Sequence, residues 1–290
     1  MSISITQLFR YPVKSMGGHT MDQVSLTSNG IPGDRAWALK DEERGGIKGG
    51  KRFPQRLAMQ ARFATEPSEE TVSPEVRITL SDGQSVSTSD PDVNSILSNQ
   101  VDANVSIWPL LPADQLDHYR RPPMERGTDP EAYFREVFAR TPDEPLPDLS
   151  MFPEELFIYE SSPGTYFDAF PILLMSQSSL DYFQTAMGEV GANSQFDTRR
   201  FRPNILVETP ESGFPENSWV GRRGKLGNAV VKIETICPRC VMTTHGFDDL
   251  PKDPKIMRHL VKENDGNLGV YLSIERPGSV SVGDSLVWLD

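Results

Sequence analysis

The chain has 290 residues, enough for one large or two ordinary domains with a buried core. Its net charge of −12 and pI near 4.9 argue against binding to nucleic acid or to an anionic membrane, because both need a basic face. The N-terminal stretch lacks the apolar core of a signal peptide, and no run reaches the roughly 18–20 apolar residues of a membrane helix. Two cysteines are too few for a disulfide framework, so we expect a reducing, cytoplasmic location.

The first part of the chain is predicted to be mainly β. "SITQLFRYPV", "RAWAL", "MQARFAT" and "VSIWPLL" have strand patterns, and "EVRITLSDGQSVST" predicts a hairpin that turns at Asp82 and Gly83. One short helix is expected after it, with Asp90 as N-cap and Pro91 at the first helical position.

The rest of the chain is predicted to be mixed. Helices are expected after the caps Asp129 and Asp253, and in "SSLDYFQTAMGEVG", which should end near Gly188 or Gly191. Strands are expected in "FPILLMS", "RPNILVE", "GNAVVKIETI", "LGVYLSIE" and "SVSVGDSLVWL". Many short strands with few helices predict a mixed, mainly β fold of barrels or sandwiches with peripheral helices, and a soft domain boundary falls near residue 122.

Cys237 and Cys240, the only cysteines, lie together in "ETICPRCVMTTHG". A structural zinc site usually needs four Cys or His ligands, and the sequence has no second pair at such a spacing. A C-P-x-C pair can serve thiol redox chemistry, and buried inert cysteines are the plainest interpretation. Alternatively, one thiolate could bind a soft or high-valent metal whose other ligands come from a cofactor, with Arg239 favouring the anionic sulfur of Cys240.

Several basic turns stand out in this acidic chain. Lys14 and Ser15 precede the flexible pair Gly17 and Gly18, where a lysine, a hydroxyl and free backbone N–H groups would suit an anion. Further basic or polar residues at strand ends or turns are Arg35, Arg202, Asn204 and Arg239. Each one alone is typical of a solvated turn or a salt bridge, but together they can converge on one site.

"GGIKGGKR", residues 45–52, has the glycine and lysine spacing of a nucleotide-binding P-loop. Arg52 stands where a serine or threonine must hold magnesium, and Pro54 prevents a helix from opening there to receive phosphates. We interpret the segment as a flexible basic loop.

Five motifs, in this order, resemble the MOSC family, named after the C-terminal domain of molybdenum-cofactor sulfurase. They are "YPVKS", "GIPGDRAWAL", "RFRPNI", "CPRCVMTT" and "PGSVSVGDSLVWL", and the type they resemble most is the amidoxime-reducing component with its bacterial relatives. The resemblance runs from about residue 3 to the end. It implies a MOSC N-terminal β-barrel-like domain at residues 1–122 and a MOSC barrel domain at residues 123–290.

The resemblance also implies a molybdenum cofactor, Mo-molybdopterin, with Cys240 as the catalytic residue and metal ligand. The residues carried over as cofactor-binding are Lys14, Ser15, Arg35, Asp168, Ala169, Phe170, Arg202, Asn204, Pro238, Arg239 and Cys240. The relatives have threonine and serine where this chain has Ala169 and Phe170, so any cofactor contact at these two positions would be through the backbone.

The implied activity is reduction of N-hydroxylated compounds such as amidoximes, hydroxylamines and N-hydroxylated bases, by oxygen-atom transfer at molybdenum. A non-redox carrier of the cofactor or of persulfide sulfur is the alternative, and a C-x-x-C thiol-redox protein is the third possibility. A separate electron donor is expected: a ferredoxin, a flavin reductase or a cytochrome b5-like protein. After Thr244, "HGFDDLPKD" replaces the family's "D-P-D-T-G", and this segment is expected to border the substrate.

Overall fold

The computed structural model describes residues 2–68, 70–124, 126–189 and 194–289. Strands account for most of the regular structure. They are β1 (Ile3–Arg10), β2 (His19–Met21), β3 (Gln23–Leu26), β4 (Trp37–Asp41), β5 (Ile47–Lys48), β6 (Gln60–Phe63), β7 (Val76–Thr79), β8 (Ser85–Ser87), β9 (Val105–Pro109), β10 (Ile172–Ser176), β11 (Ile205–Glu208), β12 (Arg223–Leu226), β13 (Ala229–Pro238), β14 (Asn267–Arg276), β15 (Gly278–Ser281) and β16 (Ser285–Trp288).

The helices are short, and most lie between strands. They are α1 (Val93–Val101), α2 (Leu116–Tyr119), α3 (Pro130–Val137), α4 (Glu155–Ile158), α5 (Gln177–Glu189), α6 (Thr198–Phe201) and α7 (Lys255–Asn264), with 3-10 helices at Pro54–Ala58, Pro215–Trp219 and Val241–Thr244. In the part of the chain that the structure describes, none of them is long and apolar enough to cross a membrane.

A closed barrel forms the larger part of the fold. Its strands follow the order β11, β10, β14, β13, β12, β16 and β1, and β1 closes the ring by pairing antiparallel with β11. Closure leaves no unpaired sheet edge around the ring. The expected mixed, mainly β fold with a barrel and peripheral helices is therefore confirmed.

Alternate residues along the barrel strands serve two different cores. In β10, Ile172 and Leu174 belong to the core shared with the other barrel strands, whereas Leu173 and Met175 pack in a second core with residues of α5 and α7. Because successive strand residues face opposite sides of a sheet, the barrel is packed inside and is covered by helices on this outer wall.

A smaller β unit is built from residues that follow the barrel's first strands. Its sheets are β5-β4-β9 and β6-β7-β8, and α1 covers them. The alternating Val76 and Ile78 of the predicted hairpin lie in its core, and β7 pairs antiparallel with β8 as expected. Both β1 and β2 belong to the barrel sheet instead, so the chain enters the barrel first and returns to it after this unit.

The predicted helix starts differ in accuracy. Asp129 caps α3 as expected, since its side chain accepts a hydrogen bond from the Glu131 N–H. The cap at Asp90 was wrong: α1 begins at Val93, and the Asp90 carboxylate accepts from the Ser87 N–H instead, which stabilises the preceding turn. Of the two ends considered for α5, Gly188 lies in its last turn and Gly191 lies outside the described residues.

Candidate functional site

The turn after β1 carries Lys14 and Ser15 into the interior. The Lys14 N–H donates to the Trp37 carbonyl, and its ammonium donates to the Asp168 carboxylate at 2.8 Å and the Tyr166 carbonyl at 2.7 Å. Burial lowers the pKa of Lys14, and the nearby Asp168 opposes that shift. The Ser15 hydroxyl accepts a hydrogen bond from the Gly50 N–H at 2.8 Å, which joins the turn to the glycine-rich loop.

Asp34 is the centre of a buried polar network that the sequence did not reveal. Its carboxylate pairs with the Arg35 guanidinium and accepts hydrogen bonds from the Tyr11 N–H at 2.8 Å and the Asn204 side-chain amide at 3.0 Å. The Asn204 oxygen in turn accepts from the Leu173 N–H at 3.2 Å. These contacts connect the segments before β4 and β11 with β10 and with the residue after β1, and they hold Arg35 and Asn204 in place.

Two arginines lie against the ring of Tyr11. The guanidinium carbon of Arg202 is 4.2 Å from the ring centroid and that of Arg35 is 5.2 Å from it. Burial lowers the pKa of Arg202 to about 10, even though the Tyr11 oxygen opposes the shift. Tyr11 thus supports two cations that would otherwise repel each other.

The two cysteines occupy different surroundings. Cys237 is 2% exposed, lies in the outer-wall core and accepts a hydrogen bond from Arg239 Nη1 at 3.1 Å. Burial raises the pKa of its thiol, and the charge of Arg239 opposes this. Cys240 is only partly buried and stands just before the 3-10 helix Val241–Thr244, and both thiols are free. Cys240 is therefore the cysteine open to an incoming group.

Three of the proposed binding residues have a left-handed backbone. The φ angles of Ser15, Arg35 and Arg202 are 67°, 52° and 58°. Such angles are uncommon outside glycine and are held only where the surroundings enforce them. Arg202 is also the C-cap of α6, but Ser15 and Arg35 lie in turns without a helix end. Three left-handed residues thus occur where the basic side chains meet.

The segment before β10 contributes a carboxylate and two side chains of little polarity. Although desolvation opposes it, Lys14, Lys51 and Arg35 hold the pKa of Asp168 far below its usual range, even with 56% of its side chain exposed. Ala169 is half-buried, while the ring of Phe170 packs 5.4 Å from that of Tyr271. Neither Ala169 nor Phe170 has a side chain that could bind a polar ligand by hydrogen bonding.

Two further residues complete the arrangement at Cys240. Pro238 is half-buried at the end of β13, opposite Asn267 of β14. Lys51, which the sequence interpretation left in a flexible loop, lies near the site: the charges of Cys240 and Asp168 raise the pKa of its amine, although desolvation opposes this. In the sequence, the only feature that drew attention to Lys51 was the glycine-rich spacing around it.

A cleft with a volume of about 170 Å³ opens beside these residues. Tyr11, Arg202 and Leu57 form part of its wall, together with Phe247 and Asp248 from the divergent segment after Thr244. Phe247 and Leu57 also pack in one cluster with Met242 and the half-buried Cys240. The cleft therefore shares an apolar cluster with the cysteine.

The donors at the site suit an anionic cofactor that brings further metal ligands. Arg202 Nη2 and Arg239 Nε are buried and have no hydrogen-bond acceptor among the described residues. Unpartnered buried donors are costly, and an anion would satisfy them. In the described parts of the chain, no three His, Cys, Asp or Glu side chains are grouped closely enough to hold a metal ion. A pterin dithiolene would provide both the negative charge and the sulfur ligands that one thiolate lacks.

Comparison with known proteins identifies two domains. Residues 2–108 match the MOSC N-terminal beta barrel domain, and residues 162–287 match the MOSC domain. Mitochondrial amidoxime reducing component 2 from Bos taurus is 32% identical over 132 residues, which cover 41% of this chain and 37% of that protein. The Homo sapiens protein of the same name shows the same identity and coverage. The match thus spans less than two fifths of these relatives' length.

A structural similarity extends over nearly the whole chain. The YuaD protein from Bacillus subtilis matches 99% of this chain and 94% of its own, with 14% identity and a TM-score of 0.42. The chain belongs to the MOSC-domain family and carries the MOSC N-terminal beta barrel domain before its MOSC domain.

Proposed function

We propose that this protein binds a molybdenum cofactor of the Mo-molybdopterin type through Cys240 and reduces N-hydroxylated compounds. One observation carries the proposal: basic side chains whose N–H groups have no acceptor lie around one partly accessible thiol. The printed names of the relatives, which call them amidoxime reducing components, support the choice of substrate class.

Each group at the site has a part in this proposal. Arg202 and Arg239 would hold the anionic portion of the cofactor with their free N–H groups, while Lys14 would stay oriented by Asp168 and the Tyr166 carbonyl. When bound, the cofactor would supply the two-electron oxygen-atom transfer. The chain's own task is to neutralise the cofactor's charge, fix its orientation and leave the cleft beside Cys240 open to substrate.

Metal analysis joined to an activity assay tests the proposal. Protein made in a host that synthesises the cofactor should contain about one molybdenum per chain and should reduce benzamidoxime with a chemical electron donor. Protein without molybdenum from such a host contradicts the proposal. Molybdenum without turnover would favour the alternative, a cofactor or persulfide carrier, for which the accessibility of Cys240 is equally suitable.

The two cysteines provide a matched pair of variants. Cys240→Ser should lose nearly all bound molybdenum because it removes the accessible thiolate, whereas Cys237→Ser should keep most of it because that thiol is buried against Arg239. Molybdenum content and circular dichroism would be measured for both. Equal losses of activity with molybdenum retained in both variants would support a dithiol mechanism instead.

A further inference from the structure

Arg56 is a buried cation that the proposed site leaves unused. It lies in the 3-10 helix Pro54–Ala58 and is 0% exposed. Its Nη2 donates to the Lys48 carbonyl at 2.6 Å, but Nε and Nη1 have no acceptor among the described residues. A buried guanidinium with two unpartnered N–H groups destabilises a fold unless another component supplies the acceptors.

The segment that carries Arg56 touches the candidate site on two sides. On one side, the Gly50 N–H donates to the Ser15 hydroxyl. On the other side, a Cβ at Gly50 would lie 2.9 Å from the Met242 methyl carbon, so the loop packs tightly against the helix that follows Cys240. Leu57, the next residue after Arg56, belongs to the cluster of Met242 and Cys240.

The charges around Arg56 favour an anion as its partner. Burial and the positive charge of Arg202 lower the pKa of Arg56 to about 9, and Asp168 opposes both. Other buried arginines have acceptors of their own: Arg10 pairs with Glu66, and Arg200 donates to several backbone carbonyls. Arg56 instead has another cation as its strongest charged neighbour.

We propose that Arg56 and Arg202 form an oxyanion subsite that receives a phosphate-type group of the ligand bound beside Cys240. Arg202 also has an unpartnered nitrogen, and it lines the same cleft as Leu57, the residue next to Arg56. Guanidinium groups are suited to phosphate because they present several N–H donors in one plane. The location of the ligand rests on the proposed function, and the oxyanion belongs either to the cofactor or to an anionic substrate.

Binding of inorganic phosphate to the full-length, cofactor-free chain tests the subsite. Titration calorimetry at constant ionic strength should show saturable binding by the parent, weakened at least about tenfold in Arg56→Met and less in Arg56→Lys, which keeps the charge but loses the planar fork. Arg140→Met is the matched control: Arg140 is buried with the same two nitrogens unpartnered, but its charged neighbours are Glu144, Arg258 and Asp265. It should bind phosphate like the parent.

Two results would overturn the subsite: no saturable phosphate binding by the parent, or parental affinity in folded Arg56→Met. If Arg56→Met does not fold, the decision falls to Arg56→Lys, measured both by calorimetry and by the phosphate-induced rise in melting temperature. Parental values for Arg56→Lys in both measurements would equally contradict the proposal, whereas a smaller rise than in Arg140→Met would support it.

Loading with molybdenum cofactor separates the two sources of the oxyanion. Loss of phosphate binding on loading assigns the subsite to the cofactor's phosphate, and retained binding that still depends on Arg56 assigns it to a substrate. Phosphate binding needs no molybdenum, so the two proposals can fail separately. An active reductase that binds no phosphate through Arg56 would contradict only the subsite, and phosphate binding by a chain that never takes up molybdenum would contradict only the proposed function.

Discussion

At the scale of single residues, one carboxylate and one aromatic ring hold several of the residues proposed to bind the cofactor. Asp34 accepts from the Tyr11 N–H and the Asn204 amide and pairs with Arg35, while its side chain is fully buried. The same Tyr11 provides the ring on which Arg35 and Arg202 rest. One carboxylate and one aromatic ring therefore hold three of the proposed binding residues, which makes Asp34 a positioning residue.

Asp34→Asn should lower the free energy of unfolding by about 3–5 kcal/mol, because it leaves the buried Arg35 without its counterion. Chemical denaturation would measure the change. Asp249→Asn is the control, since it breaks an exposed, solvent-screened pair with Arg199 and should change the free energy of unfolding little. A similar, small loss in both variants would mean that the Asp34–Arg35 pair does not organise this region.

At the scale of elements, sequence patterns predicted the strands better than the turns between them. The alternation in "EVRITL" placed Val76 and Ile78 in a core because a strand's period of two can be observed in the sequence. The left-handed backbone at Ser15 and Arg35 could not be predicted, because no local preference of serine or arginine favours it and only tertiary contacts hold it.

The candidate site shows the same division. The motifs pointed to Lys14, Arg35, Arg202 and Arg239, but not to Asp34, whose role depends on contacts with Tyr11 and Asn204 far away in the sequence. The P-loop-like spacing of residues 45–52 was not assigned to nucleotide binding because of Arg52 and Pro54. The same interpretation, which treated residues 45–52 as a flexible loop, missed that Lys51 lies near Cys240. This proximity follows from the packing of Gly50 on Ser15.

A buried carboxyl connects the 3-10 helix Pro215–Trp219 with the junction of β10 and α5. Glu216 is 1% exposed and accepts hydrogen bonds from the Ser176 hydroxyl at 2.7 Å and the Ser179 hydroxyl at 2.7 Å. Burial raises its pKa above the ordinary 4.5, although these hydrogen bonds oppose the rise. The folded protein thus binds this proton more tightly than the unfolded chain, so its contribution to stability is complete below pH 4.5 and is lost as pH rises through the folded-state pKa.

Glu216→Gln should remove this loss of stability at rising pH, because a glutamine side chain does not titrate. Relative to the parent, its free energy of unfolding should increase between about pH 4 and about pH 8, as measured by urea denaturation across this range. For Glu275→Gln, the free energy of unfolding relative to the parent should instead decrease as pH rises. The reason is that the hydrogen bond from Arg223 lowers the pKa of Glu275. Parallel curves for Glu216→Gln and the parent would show that Glu216 does not titrate in this range.

At the scale of the whole molecule, charge is divided between the inside and the outside. The chain carries 41 acidic and 29 basic residues, yet basic side chains predominate around Cys240. The negative surface would keep anionic macromolecules away and would attract a partner with a basic face. An electron donor of that kind, separate from this chain, is the partner that we propose.

Electron transfer from such a donor should therefore be sensitive to salt. Raising the ionic strength from about 0.05 M to about 0.5 M should slow donor-driven benzamidoxime reduction at least about threefold, since screening weakens the attraction between the proteins. The rate with a small neutral reductant should stay nearly constant and serves as the control. A donor-driven rate that is independent of salt would exclude electrostatic docking.

The position of β1 in the barrel imposes an order on folding. β1 pairs with β11 at Ile5 and Val207 and with β16 at Ser4 and Ser285, contacts between residues very distant along the chain. Such long-range pairing forms slowly, because a large loop must close first. The turn at Lys14 and Ser15 directly follows β1 and is also bonded to Trp37 of β4 and to Gly50 after β5, so closure of the ring brings it together with Asn204 and Cys240. The smaller β unit has its own core, so the proposed cofactor site would be complete only after the barrel strands have paired with β1.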